Sequence, residues 1–213
     1  MSVSSLPSHA VDAPHVKPVS RRSFAFWMRW LHIYLSMLGL VALLFFSVTG
    51  ITLNHPDWFL GYAELSRSET GQLEAAWLAP DTDVDKLAIV EFLRQQHGIH
   101  GALAEFNVDE LQCMVTFKGP GYSADTFVDR ETGKYDLTLV ELGWVAVIND
   151  LHKGRDSGAA WKWLIDVIAI LCCVLSITGL VLLFYIKRRR VSGSVVGILG
   201  GAALLVIYWI WVP

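Results

Sequence analysis

The stretch Leu31–Leu53, LHIYLSMLGLVALLFFSVTGITL, decides the fold of this chain. It contains no Asp, Glu, Lys or Arg, and it is longer than the about 20 residues that a helix needs to cross a bilayer. We therefore predict a membrane-spanning helix. Asn54, His55 and Pro56 follow, and the proline ends the helix because it has no amide hydrogen to donate. The helix thus ends on a histidine, where tryptophan, tyrosine or a basic residue is usual.

Two later runs have the same character: Trp163–Ile186 (WLIDVIAILCCVLSITGLVLLFYI) and Ser194–Val212 (SVVGILGGAALLVIYWIWV). Over the whole chain 17% of the residues are charged, against about 25% in soluble domains. The sequence predicts a protein with three transmembrane helices, whose first partner is the lipid bilayer. With a net charge of −3 the chain lacks the basic excess typical of nucleic-acid binding, and we expect no nucleic-acid partner.

The basic residues indicate how the helices are oriented. Arg21, Arg22 and Arg29 precede the first run, and KRRR at 187–190 separates the second run from the third. Cytoplasmic loops carry an excess of Lys and Arg, so both clusters belong on the cytoplasmic side. Residues 57–158, with 18 acidic and 8 basic residues, would then lie outside the cytoplasm. We predict a multi-pass protein of the bacterial inner membrane, with a cytoplasmic N-terminus and a periplasmic C-terminus.

The region between the first two runs begins with a predicted loop and a predicted helix. Residues 57–80 show no periodicity and are interpreted as a loop. DTDVDKLAIVEFLRQQHG (81–98) has apolar residues at helical spacing, with Asp81 or Asp83 as its N-cap and Gly98 just past its end.

Three runs with the alternation of β-strands follow this helix. They are ALAEFNVD (102–109), LQCMVTFKG (111–119) and YSADTFVD (122–129). The turn DRETGKY (129–135) then leads to another short extended piece. We predict one helix on a small antiparallel sheet, which makes this region an α+β domain.

The run Leu139–Gly154, LVELGWVAVINDLHKG, is apolar but too short to cross a bilayer. It directly precedes a membrane helix, so we predict an interfacial helix. The predicted fold class is an all-α membrane part, with three transmembrane helices and an interfacial helix, carrying a small extracytoplasmic α+β domain. The predicted boundaries are a disordered cytoplasmic tail at 1–20, helices at 21–56, 157–187 and 194–213, the α+β domain at 57–138 and the interfacial helix at 139–154.

Small residues indicate where helices pack. SVTGI (47–51) and SITGL (176–180) repeat one pattern in the first two membrane helices, and Gly197 and Gly201 have G-x-x-x-G spacing in the third. Such residues let membrane helices approach closely. We predict that they mediate packing within the chain or between two copies in a homodimer.

The remaining candidate groups have simpler interpretations. His97 and His100 are interpreted as surface residues, because a metal site needs more ligands than this pair offers. Asp166 is either a partner of a histidine or a helix–helix hydrogen-bonding residue. The three cysteines include an adjacent pair inside a membrane helix, and we predict no disulfide.

Three stretches together resemble the PepSY-associated transmembrane helix family: LHIYLSMLGLVALLFFSVTGITLNHP (31–56), VDRETGKY (128–135) and NDLHKGRDSG (149–158). The resemblance extends from about Arg21 to Arg188. It implies that the extracytoplasmic domain is a PepSY-type module. Larger members are similar to haem-containing inner-membrane reductases of ferric siderophores, and the present chain is shorter than they are and has few histidines.

The resemblance implies a role for the histidines. A b-type haem needs two neutral imidazoles on opposite faces of the macrocycle. His55 ends the first helix and His152 just precedes the second, both on the outer side, so we predict that they ligate the iron of one haem b. Asn54 would orient His55, and Lys153 or Arg155 would meet the haem propionates.

His32 lies near the cytoplasmic end of the first helix. At 1.5 Å per residue that helix is about 35 Å long, so His32 cannot share a haem with His55. It is either an interfacial residue or the partner of His32 in a second copy.

Two functions stay open at this point, with a weaker third. One is a haem b electron-transfer protein linked to the reduction of ferric chelates in iron uptake, with an unknown cytoplasmic electron donor. The other is a membrane-anchored PepSY binding or regulatory module without a cofactor, in which the histidines are structural. The third is a subunit of a metal-uptake assembly. The sequence does not decide whether the protein is an enzyme.

Overall fold

The structure is a computed structural model, which describes residues 21–59, 64–78 and 84–213. The predicted tail and the predicted caps Asp81 and Asp83 lie outside these residues. The chain divides into two compact units, one formed by the residues up to Met37 together with Cys173–Pro213, and the other by Leu38–Cys172.

Three long helices correspond to the three apolar runs: α1 (Arg21–Asn54), α4 (Gly158–Tyr185) and α5 (Arg190–Trp211). Each is long and apolar enough to cross a membrane, as predicted. Most of their apolar side chains are exposed, as expected of helix surfaces that face lipid. α1 begins ten residues before the apolar run, because the preceding segment contributes aromatic residues to the helix.

The sheet of the α+β domain has five antiparallel strands in the order β1-β5-β4-β3-β2. They are β1 (Glu64–Gln72), β2 (Ala102–Val108), β3 (Gln112–Gly119), β4 (Tyr122–Asp129) and β5 (Lys134–Leu142). Strands β2 to β5 follow one another as a meander, and the predicted strands are confirmed.

The prediction of a loop over residues 57–80 was wrong for β1. This strand pairs with β5 along its whole length, from Glu64 opposite Leu142 to Gln72 opposite Lys134. Its sequence ELSRSETGQ lacks apolar alternation because β1 is an edge strand with mostly exposed side chains on both faces. Pairing with β5, rather than the pattern of β1 itself, makes this segment extended.

Helix α2 (Lys86–His97) packs on one face of the sheet. Asp85 is its N-cap and accepts a hydrogen bond from the Ala88 amide at 3.0 Å. Gly98 ends the helix in the left-handed conformation, with φ at 67°. The buried core between helix and sheet is formed by apolar residues of both elements: Ile89, Val90, Leu93, Cys113, Val115, Phe117, Ala124, Val128, Tyr135, Leu137 and Leu139.

The turn between β4 and β5 is held by one aspartate. Asp129 Oδ1 accepts hydrogen bonds from the Thr132 amide at 2.7 Å and from the Thr132 hydroxyl at 2.9 Å. These bonds hold the pKa of Asp129 below its usual value. Gly133, with φ at 70°, completes the turn. The VDRETGKY motif therefore forms a tight turn that is stabilised by hydrogen bonds between its own residues.

Helix α3 (Trp144–Lys153) is shorter than the interfacial helix predicted at 139–154. The residues from Leu139 to Leu142 belong to β5, and Leu139 is buried in the core of the domain. The prediction failed there because a continuous apolar run does not reveal where a strand passes into a helix. Gly154 ends α3 with φ at 65°, as predicted.

The two glycines of α5 with G-x-x-x-G spacing have no close neighbour in the described part of the chain, whereas a Cβ atom at Gly193 would collide with Leu183 of α4. A Cβ atom built at Gly197 or Gly201 would meet no heavy atom within 4 Å. Contact of this helix face with a second copy of the chain stays a prediction.

Candidate functional site

A polar seam joins α3 to the C-terminal half of α1. His152 Nδ1 lies 2.6 Å from Thr49 Oγ1, and Thr52 Oγ1 donates to Asn149 Oδ1 at 2.6 Å. Both threonines and Asn149 are buried. The two residues of each helix are three positions apart, which places them on one face. The seam therefore satisfies four polar groups that would otherwise be costly to bury.

His152 is enclosed by this seam. Its ring lies edge-on to Phe46, with ring centroids 5.0 Å apart. Burial lowers the pKa of His152, and the adjacent charge of Lys153 lowers it further. The imidazole is therefore neutral at pH 7.

The opposite side of α3 is bonded to the sheet. Asp150 Oδ2 accepts a hydrogen bond from the Gly121 amide at 2.9 Å, at the turn between β3 and β4. Gly121 has φ at 65°, and a side chain there would collide with Val147 of α3. Helix α3 is thus bonded to the sheet on one side and to α1 on the other.

A second histidine–threonine pair lies in the other compact unit. His32 Nδ1 is 2.9 Å from Thr178 Oγ1, and Thr178 is buried. A Cβ atom built at Gly179 would lie 3.2 Å from His32 Cε1, so the glycine leaves room for the imidazole. His32 is therefore held by α4 of the same chain.

His55 has different neighbours from His152. Its ring stacks on Trp58, with centroids 3.7 Å apart and planes 8° from parallel. Asn54 Nδ2 lies 3.2 Å from His55 Nε2, the contact that would orient this imidazole. The structure therefore pairs Asn54 with His55 and Thr49 with His152, so the two histidines have different partners.

Ligation of one haem by His55 and His152 stays a prediction. One face of His55 is covered by Trp58, and Nδ1 of His152 is engaged by Thr49, which lies six residues before His55 on the chain. An apolar groove of about 170 Å³ lies between α1 and α4 and is lined by Leu43, Phe46, Ile165, Ile168, Ala169 and Cys172.

The residues predicted to meet haem propionates lie elsewhere. Lys153 and Arg155 line a cavity of about 150 Å³ between α3 and the sheet. Arg155 Nε also lies 3.7 Å from Asp156 Oδ2. Haem b binding stays a prediction that a spectrum must test.

His97 is part of a buried network in the α+β domain. Its side chain is only 6% exposed, so its interpretation as a surface residue was wrong, whereas His100 is exposed. His97 Nδ1 bonds Glu69, and its Nε2 lies 2.8 Å from the Tyr135 hydroxyl. Burial and the Glu69 charge raise the pKa of Tyr135. In the described residues no group of three or more His, Cys, Asp or Glu side chains has the proximity that a metal ion needs.

A cleft lies beside this network in the α+β domain. Its volume is about 650 Å³, within the range of ligand-binding pockets. It lies between strands β1 and β5 and the segment that follows α2. Its lining combines apolar, basic and acidic side chains: Leu65, Ser66, Arg67, His97, Gly98, His100, Leu139 and Glu141.

The sequence reasoning missed the partners of the histidines. A signal for these partners was present in the sequence, because polar side chains inside apolar segments usually bond to a neighbouring helix. The residues with this signal are Thr49, Thr52 and Asn149. Asp166, for which two roles stayed open, is exposed and has no hydrogen bond or ion pair within the described residues.

Comparison with known proteins agrees with the resemblance described above. A family model described as PepSY_TM-like matches residues 26–213 of the chain. No curated protein and no solved structure matches it. Because the family model covers the three membrane helices and the whole α+β domain, the chain belongs to the PepSY_TM-like family.

Proposed function

We propose that this protein is a membrane-anchored PepSY-type module whose α+β domain binds an extended peptide segment of a partner outside the cytoplasm. The family assignment and the anchored α+β domain support the anchored module. The acidic balance of residues 57–158 and the two basic clusters support the orientation.

The observation that carries the peptide-binding proposal is the position of the cleft beside an edge strand. Within the described residues β1 pairs with β5 on one side and is an edge strand, so its other edge offers backbone groups to a further strand. Leu65 is 71% exposed on this strand and lines the cleft. An extended peptide can add to such an edge through its main chain and place a side chain in the cleft.

A selection from a displayed library of random peptides, with the protein in lipid nanodiscs, tests this proposal. Selected peptides should bind the wild type and lose affinity at least about tenfold in Leu65→Asp, a loss of about 1.4 kcal/mol. Leu111→Asp is the matched control, because Leu111 is similarly exposed, at 76%, but lies outside the cleft. Peptides that bind both variants as they bind the wild type would contradict this site.

Haem b electron transfer is the second candidate, and one observation favours it. His32 and His152 are both held through Nδ1, the arrangement in which a hydrogen bond orients an imidazole for a metal at Nε2. The reduced-minus-oxidised spectrum of the purified protein tests this candidate. A haem b signal that is lost in His152→Ala and kept in His100→Ala would support it, and colourless wild-type protein would exclude it.

A further inference from the structure

A Leu-His pair precedes each of the SVTGI and SITGL segments along the chain. Leu31-His32 precedes Thr49-Gly50, and Leu151-His152 precedes Thr178-Gly179. In the structure each histidine bonds the threonine of the other segment. His32 bonds Thr178, and His152 bonds Thr49. Each sequence segment therefore supplies the histidine of one pair and the threonine of the other.

The glycine after each threonine lies against the same imidazole. A Cβ atom built at Gly50 would be 3.9 Å from His152 Cε1, and one at Gly179 would be 3.2 Å from His32 Cε1. The Thr-Gly pair therefore acts as one unit, in which the threonine supplies the polar contact and the glycine supplies room for the ring.

The hydrogen bonds of the threonines favour one histidine tautomer. Thr49 Oγ1 donates to the Phe45 carbonyl at 2.7 Å, and Thr178 Oγ1 donates to the Leu175 carbonyl at 3.0 Å. Each hydroxyl has one hydrogen. A hydroxyl that donates this hydrogen within its own helix accepts from the imidazole, which favours hydrogen on Nδ1.

We propose that Thr49 and Thr178 are positioning residues that hold His152 and His32 in the Nδ1–H tautomer, so that each imidazole presents an unprotonated Nε2. The two histidines then have equivalent roles. An unprotonated Nε2 has a free lone pair. It can accept a hydrogen bond from an N–H or O–H group of a partner, or it can bind a metal centre that takes imidazole nitrogen.

This inference is independent of peptide binding by the α+β domain. Nitrogen NMR of histidine-labelled full-length protein in nanodiscs at pH 8 tests it, because protonated and unprotonated ring nitrogens resonate at different shifts. His32 and His152 should each show a single state with hydrogen on Nδ1. Single His32→Gln and His152→Gln variants identify the two sets of signals.

Thr49→Val and Thr178→Val test the reciprocal assignment. Thr49→Val should convert His152 to a mixture of tautomers and leave His32 unchanged, and Thr178→Val should do the reverse. Thr52→Val is the matched control, because this buried threonine bonds Asn149 rather than a histidine. The proposal would be overturned if either histidine carried hydrogen on Nε2 in the wild type, or if both valine variants kept the wild-type tautomers. An effect of misfolding alone would also appear in the Thr52→Val control.

Discussion

Replacing Gly71 by alanine tests the buried network of the α+β domain. Gly71 lies opposite Tyr135 in the pairing of β1 with β5. A Cβ atom at this position would lie 2.5 Å from Tyr135 Cζ, far inside van der Waals contact. The alanine therefore cannot be accommodated while the Tyr135 ring stays where it bonds His97.

The cost follows from what the ring must give up. Displacing Tyr135, which is 3% exposed, breaks its 2.8 Å bond to His97 and leaves a buried group unpaired, which costs about 1–3 kcal/mol. Overpacking adds about 1–3 kcal/mol, and the lower entropy of the unfolded alanine chain offsets about 0.4–1 kcal/mol. A net loss of about 2–4 kcal/mol is expected. The melting temperature of a domain of this size should fall by roughly 10 °C or more.

Thermal unfolding of the full chain in nanodiscs, followed by circular dichroism of the sheet, measures this loss. Gly119→Ala is the control, because a Cβ atom there would meet only ordinary contacts near 3.9 Å. Combining Gly71→Ala with Tyr135→Leu should cost less than the sum of the two single changes, since the leucine removes the collision. A Gly71→Ala protein that melts like the wild type, or strictly additive effects in the double variant, would refute the reasoning.

Four further outcomes are expected. Asp85→Ala should lower the free energy of unfolding by about 1 kcal/mol, measured by urea unfolding, because the Ala88 amide loses its cap. Burial lowers the pKa of His152, so the unfolded chain binds a proton at this residue before the folded chain does as the pH falls below about 6.5. The free energy of unfolding should therefore decrease from pH 7.5 to pH 5, and it should decrease less in His152→Gln. Gly201→Leu should leave the melting of a single copy unchanged and lower the dimer fraction in light scattering, and an unchanged dimer fraction would exclude this face from an interface. A reporter fused to Pro213 should be active only in the periplasm, and cytoplasmic activity would reverse the predicted orientation.

The membrane helices and most of the sheet were predictable because their patterns are local. Long apolar runs define the three helices, and alternation together with Gly-containing turns defines β2 to β5. β1 was missed because an edge strand needs no buried face, so ELSRSETGQ has no pattern of its own. The end of β5 was assigned to a helix because apolar runs of strand and helix look alike when both are buried.

The candidate site was only partly predictable, because its contacts are long-range. Sequence position placed His55 and His152 near the same membrane face, but it could not show which ring would meet which partner. In the structure Trp58, three residues away, covers His55, and Thr49, over a hundred residues away, bonds His152. His97 appeared to be a surface residue because its partners Glu69 and Tyr135 lie on strands distant in the chain.

Helix α3 determines how the α+β domain is held against α1. Asn149 and His152 bond α1 on one side, while Asp150 bonds the turn before β4 on the other. Tilting the domain away from α1 would break these bonds, each worth about 1 kcal/mol, and would expose buried polar groups. The sheet is therefore held at a fixed height and direction relative to the end of α1. A peptide bound as proposed would then lie at one defined distance from that helix end, rather than over the wide range that a flexible tether would allow.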